Sequence, residues 1–145
     1  MKTLALRFAD NFAPDSGTIS EHSKLICTNG AVWYGKLGTR VSKSNIDLIM
    51  SNDCPKILLI HSGTTKRYWA YIDKIQYTMP TKKEYPDYYG EKANDMKTWF
   101  HIIKIERAPN EIMSQCRVIS SGELLSVISR YSMSPFYMIS CEEEL

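Results

Sequence analysis

Apolar and polar positions alternate over residues 3–10, where Leu4, Leu6 and Phe8 share one face and Arg7 points outward, which predicts a first strand. A polar loop with Pro14 and Gly17 as breakers follows. Thr18 and Glu21 then stand at capping-box spacing, and Ile19, His22 and Ile26 recur on one helical face. Asn29-Gly30 supplies the stop, so a helix is expected over about 18–28. Residues 31–38, "AVWYGKLG", read as a brief strand or turn closed by glycines, and Ser42 opens a second short helix over 42–52.

Residues 57–61 form a continuous apolar strand, and Ser62-Gly63-Thr64-Thr65 turn the chain into a strand over 67–77. On that strand Tyr68, Ala70 and Ile72 share one face, and Trp69, Tyr71, Asp73 and Ile75 the other. Residues 78–97 hold two prolines, one glycine and eight charged residues, the composition of a long surface loop. Strands over 98–107, 116–119 and 136–141 follow, with a helical turn at "NEIMSQ" and a short helix over 123–128. The pattern predicts an α+β fold in one domain over residues 1–145. It has about six strands in a small, strongly curved mixed sheet or barrel, with short peripheral helices.

The 145 residues allow one domain with a real core, and 43% hydrophobic with 23% charged residues is ordinary for a globular chain. A net charge of +2 permits a nucleic-acid partner without demanding one. Cys27, Cys54, Cys116 and Cys141 form no C-x-x-C pair and have no histidine at ligand spacing, which argues against a metal site. No apolar run reaches the ~20 residues of a membrane helix. The expectation is a cytoplasmic protein with reduced cysteines that pack as small hydrophobes.

Catalytic signatures are absent: the chain has no G-x-S-x-G elbow, no Walker loop, no H-E-x-x-H and no G-x-G-x-x-G. His61 and Ser62 are neighbours at a strand end and point to opposite faces, so one does not activate the other. No cofactor is expected. The aromatic residues are more suggestive, with nine Tyr, four Phe and three Trp. A charged, proline-interrupted loop offers little core for Tyr85, Tyr88 and Tyr89, which points to a role covering a flat ligand. Stacking gives ~1–3 kcal/mol per base, and aromatic cages also attract methylated nitrogen. Lys36, Arg40, Lys66, Arg67, Lys82, Lys83, Arg117 and Arg130 could hold phosphates beside such a site.

The segments "ADN", "VWYG", "ILLIHSG", "YWAYIDKIQ", "YPDYYG", "TWFHIIKIERAP" and "LLSVISRYSMSP" come in an order that resembles the YTH/EVE/PUA-like superfamily, in its EVE-like branch. The resemblance implies a PUA-like β-barrel with no catalytic machinery and a pocket for one modified base in DNA or RNA. It places Trp33 as the first cage wall, Asp10 and Asn11 on the base edge, Tyr34 against the base through its backbone, and Ser62 at the border. The second wall falls to Tyr85, Tyr88 or Tyr89, since this loop has no Trp. Arg130 falls in the tail segment that touches the nucleic-acid backbone in relatives, and Lys36 and Arg67, from the basic residues above, are expected to join it there. A separately encoded nuclease is a conceivable partner. A small-ligand or protein-interaction module on the same barrel is the alternative, and a hydrolase using His61 or His101 is a third reading.

Overall fold

A computed structural model describes residues 1–142, and the last three residues of the expected domain lie outside it. Among the described residues seven strands join in one sheet: β1 (Lys2–Phe8), β2 (Val32–Lys36), β3 (Lys56–His61), β4 (Arg67–Gln76), β5 (Thr98–Arg107), β6 (Cys116–Val118) and β7 (Phe136–Cys141). Their order is β2-β5-β4-β3-β1-β7-β6. The β1–β3 pair is parallel and every other pair antiparallel. Helices α1 (Thr18–Asn29), α2 (Lys43–Met50) and α3 (Leu125–Tyr131) and 3-10 segments at Asp87–Asp95 and Ile112–Ser114 fill the connections.

The hydrogen-bonded ladder ends at β2 on one side and β6 on the other, so the expected six-stranded barrel is instead a seven-stranded open sheet. It curls enough for its distant strands to touch: the Lys36 ammonium of β2 lies over the Phe136 ring of β7, 4.6 Å from its centroid. This near-closure leaves a seam between β2 and the β1–β7 pair.

Both faces of the sheet are buried, which explains why alternation along β1 and β3 is weak. Leu4, Leu6, Ile57, Leu59, Ala70, Ile72, Phe100 and Ile102 form one core, against which Ile19, Ile26, Ile46 and Met50 of α1 and α2 pack. Ala5, Leu58, Ile60, Trp69, Tyr137 and Ile139 form a second core beneath Ile112, Met113 and Leu125. Trp69 is therefore core, while Tyr71 is half-buried and donates to Glu106 at 2.6 Å. A register shift around Asp73 returns Ile75 to the first face, opposite Phe100. Arg7, expected to point to solvent, is half-buried and donates to the carbonyls of Ser129, Ser132 and Ser134. Its charge offsets the negative end of α3.

The caps divide in the same way between local and distant partners. Ser42 caps α2 by accepting from the Asn45 N–H, and Gly30 ends α1 in the left-handed conformation. The Thr18/Glu21 capping box does not form. Gly17, with φ of 90°, occupies the N-cap, and Asp10 reaches from the end of β1 to accept the Thr18 N–H at 2.9 Å.

The cysteine expectation is overturned at one pair. Cys116 and Cys141 form a disulfide across β6 and β7, and Cys27 and Cys54 are exposed thiols instead of core residues. Among the described residues no helix is long and apolar enough to cross a membrane.

Candidate functional site

Residues 78–97 do not form a loop standing off the surface. Tyr85, Tyr89 and Ala93 pack with Trp33 and Trp99 in a small core of their own, with Tyr88 and Met96 against it. The same segment covers the outer edge of β2, where Glu84 accepts the Trp33 N–H and the Tyr89 hydroxyl accepts the Gly35 N–H. An exposed strand edge invites pairing with other chains, and this one is blunted from within. Gly35 lets the segment pack closely there, because a Cβ would press on the Met96 sulfur and on the Trp99 ring at 3.0 Å and force Met96 to shift.

Beside this segment, at the seam of the curled sheet, lies a pocket of about 260 Å³. Its walls come from the end of β1 and the loop after it, the first turn of α1, β2, and the 3-10 segment. Tyr34, Tyr88, Tyr89 and Phe8 give it aromatic surface, and Asn11 and Thr18 add polar groups. Arg7, Lys36 and Lys92 line it, and no carboxylate does.

A buried chain of hydrogen bonds fixes one wall. The Tyr89 hydroxyl accepts from Gly35 and donates to His22 Nε2 at 2.7 Å, and His22 Nδ1–H donates to the Thr18 carbonyl at 2.8 Å. A carbonyl can only accept, so the ring is the Nδ1–H tautomer. Burial brings His22 down to about 4, and the Thr18 carbonyl offsets this only in part. Burial, with Tyr34 and Tyr88 nearby, holds the Tyr89 hydroxyl far above the ordinary phenol range. Both rings are neutral at physiological pH.

The site residues expected from the sequence divide into three groups. Asn11, Tyr34, Tyr88, Tyr89 and Lys36 meet at the pocket. Trp33 and Tyr85 do not: at 7% and 8% exposure they are filler behind the wall, because the 3-10 segment folds onto them. Asp10, expected on the base edge, does not line the pocket: its carboxylate caps α1 and binds His61 Nε2 at 2.8 Å. Burial raises its pKa, but the Thr18 hydrogen bonds and the His61 contact outweigh this and bring it below the ordinary value.

Ser62 continues the β1–β3 ladder through its N–H to the Phe8 carbonyl and does not line the pocket. Lys36 is buried and gives two of its three protons to the Leu37 and Thr39 carbonyls, instead of standing free at the surface as a backbone-phosphate contact. Arg67 staples the β3–β4 turn through the Thr64 and Lys66 carbonyls, and exposed Arg130 lies away from the pocket in the last turn of α3.

Phe12, Lys92 and Met96, none of them expected from the sequence, also line the pocket. Phe12 is 62% exposed at the pocket with the Lys92 ammonium against its ring. An aromatic residue in the polar stretch "ADNFAPDSG" was the legible signal for it.

A family model for Pua-like domains matches residues 4–145. The chain belongs to the Pua-like family. Domains of this family generally bind RNA or other nucleic acids. No curated protein and no solved structure matches this Pua-like chain significantly.

Proposed function

We propose that this Pua-like chain is a non-catalytic nucleic-acid-binding module of the EVE-like type that takes one extruded, modified base into the pocket at the seam. The observation that carries the reading is the lining of that pocket: aromatic walls, three cations and no carboxylate. Its volume lies just under the ~300–1,000 Å³ of drug-sized sites, a fit for a single flat heterocycle. Tyr88 is the cage wall in place of Trp33, Asn11 offers a donor and an acceptor to the base edge, and Phe12 is placed to stack on a neighbouring base. A base must leave the duplex to enter, at a cost of a few kcal/mol that a single strand largely avoids. The small-ligand alternative calls for a closed, nearly neutral site, and the cationic lining weighs against it. His61 and His101, on which a hydrolase would depend, do not line the pocket.

The test is fluorescence anisotropy with matched single- and double-stranded oligonucleotides, unmodified or carrying N6-methyladenine, 5-methylcytosine or 5-hydroxymethylcytosine. One modified oligonucleotide should bind best, and Tyr88→Ala should weaken it by roughly 5- to 150-fold, the equivalent of one stacking contact. Uniform weak binding that Tyr88→Ala leaves unchanged would refute the proposal. Trp33→Ala is the wrong probe, because it opens the small core behind the wall.

A further inference from the structure

We infer that the β2 wall of this pocket is an acceptor reader: Tyr34 and Lys36 together select a ligand whose leading edge presents carbonyl oxygens, unprotonated ring nitrogens or an anionic substituent. This rests on the base-binding reading above and narrows its substrate class. Residues two apart on a strand project to the same side, and Tyr34 and Lys36 of β2 both line the pocket. Each is more than nine-tenths buried, with 9% and 6% exposure.

Among the described residues no hydrogen bond engages the Tyr34 hydroxyl, and it is not sealed off from solvent, so it is left open to a ligand in the pocket. The Lys36 ammonium gives protons to the Leu37 carbonyl at 3.1 Å and the Thr39 carbonyl at 2.6 Å. An ammonium has three donors, so one remains. No carboxylate among the lining residues compensates its charge. A buried cation without a counter-ion favours a ligand that brings one, or at least brings lone pairs.

An amino edge entering first would meet the Lys36 ammonium donor to donor, since of the two groups only the Tyr34 oxygen can accept, which is a basis for rejection. An edge with carbonyl oxygens or a carboxylate would satisfy both groups at once. Arg7, the neighbouring cation, is already held by three backbone carbonyls and is left to the α3 terminus.

The test uses the full chain and short single-stranded oligonucleotides carrying one 5-carboxylcytosine, 5-hydroxymethylcytosine, 5-methylcytosine or N6-methyladenine, with an abasic oligonucleotide as the phosphate control. The carboxyl-bearing base should bind tightest. Tyr34→Phe and Lys36→Met should each weaken it about tenfold or more, the scale of a hydrogen bond to a charged group, with melting temperatures close to the parent. Preference for 5-methylcytosine or N6-methyladenine, untouched by either variant, would overturn the acceptor reader and leave the base-binding reading standing. Equal binding of the abasic oligonucleotide would show the anion to be backbone phosphate and overturn both. Should Lys36→Met fail to fold, Tyr34→Phe, which removes one oxygen only, decides the matter.

Discussion

Acidification should destabilise this domain through His22 before it does so through the carboxylates. The ring is 1% exposed, gives its Nδ1 proton to the Thr18 carbonyl and accepts the Tyr89 hydroxyl at Nε2. Burial has moved its pKa from 6.5 to about 4. In the unfolded chain the ring protonates near its ordinary value, so between about 6.5 and 4 the unfolded state takes a proton that the native state refuses.

The contribution is therefore complete above about pH 6.5 and lost as the pH falls toward 4. At about 1.4 kcal/mol per pH unit the loss over that window is ~3 kcal/mol. That is a large fraction of the ~5–15 kcal/mol that holds a typical domain folded. Urea denaturation at steps from neutral pH to about 4 measures it, with His22→Gln as comparison. The Gln side chain keeps a donor and an acceptor but does not titrate. The variant should start less stable, and its stability should fall by ~3 kcal/mol less across the window. Parallel curves for the two proteins would refute the assignment. Asp10, whose pKa is lowered in the folded state, adds its own loss only at more acidic pH.

Tyr89→Phe should cost about 2–4 kcal/mol in urea denaturation, because it strands the Gly35 N–H and the His22 acceptor in the interior; a change below about 0.5 kcal/mol would show that both find other partners. Gly35→Ala should destabilise by ~1–3 kcal/mol and weaken base binding, since Met96 must move toward the pocket it lines. A crystal structure of that variant with Met96 unmoved would contradict this. Reduction of the Cys116–Cys141 bridge, with a sequence separation of 25, should lower stability by ~3 kcal/mol. Thiol titration under denaturing conditions should find two reactive thiols before reduction and four after it, as the pairing requires.

Local rules carried the reading of the elements far. The strands over 98–107 and 136–141 match β5 and β7, the helix over about 18–28 matches α1 to within a residue, and Ser42 caps α2 as its type and place suggested. Each depends on side-chain period or on a partner within a turn, and both are written along the chain. The capping box failed because Thr18 and Glu21 lost to Asp10, a better acceptor that α1 meets only once β1 is in place.

The site was half legible for the same reason. Asn11, Tyr34, Tyr88 and Tyr89 were singled out by residue type and order, and they do meet. The roles assigned to Trp33, Tyr85, Lys36 and Asp10 turned on which way a side chain faces. That depended on residues 78–97 folding inward and on a seven-stranded sheet curling until Lys36 reached Phe136. By itself the sequence determined the apolar periods, the breakers and the wealth of rings. Only the tertiary structure decided which rings became core and which became wall, because burial is a property of the partners a residue meets across the sheet, and those lie far away along the chain.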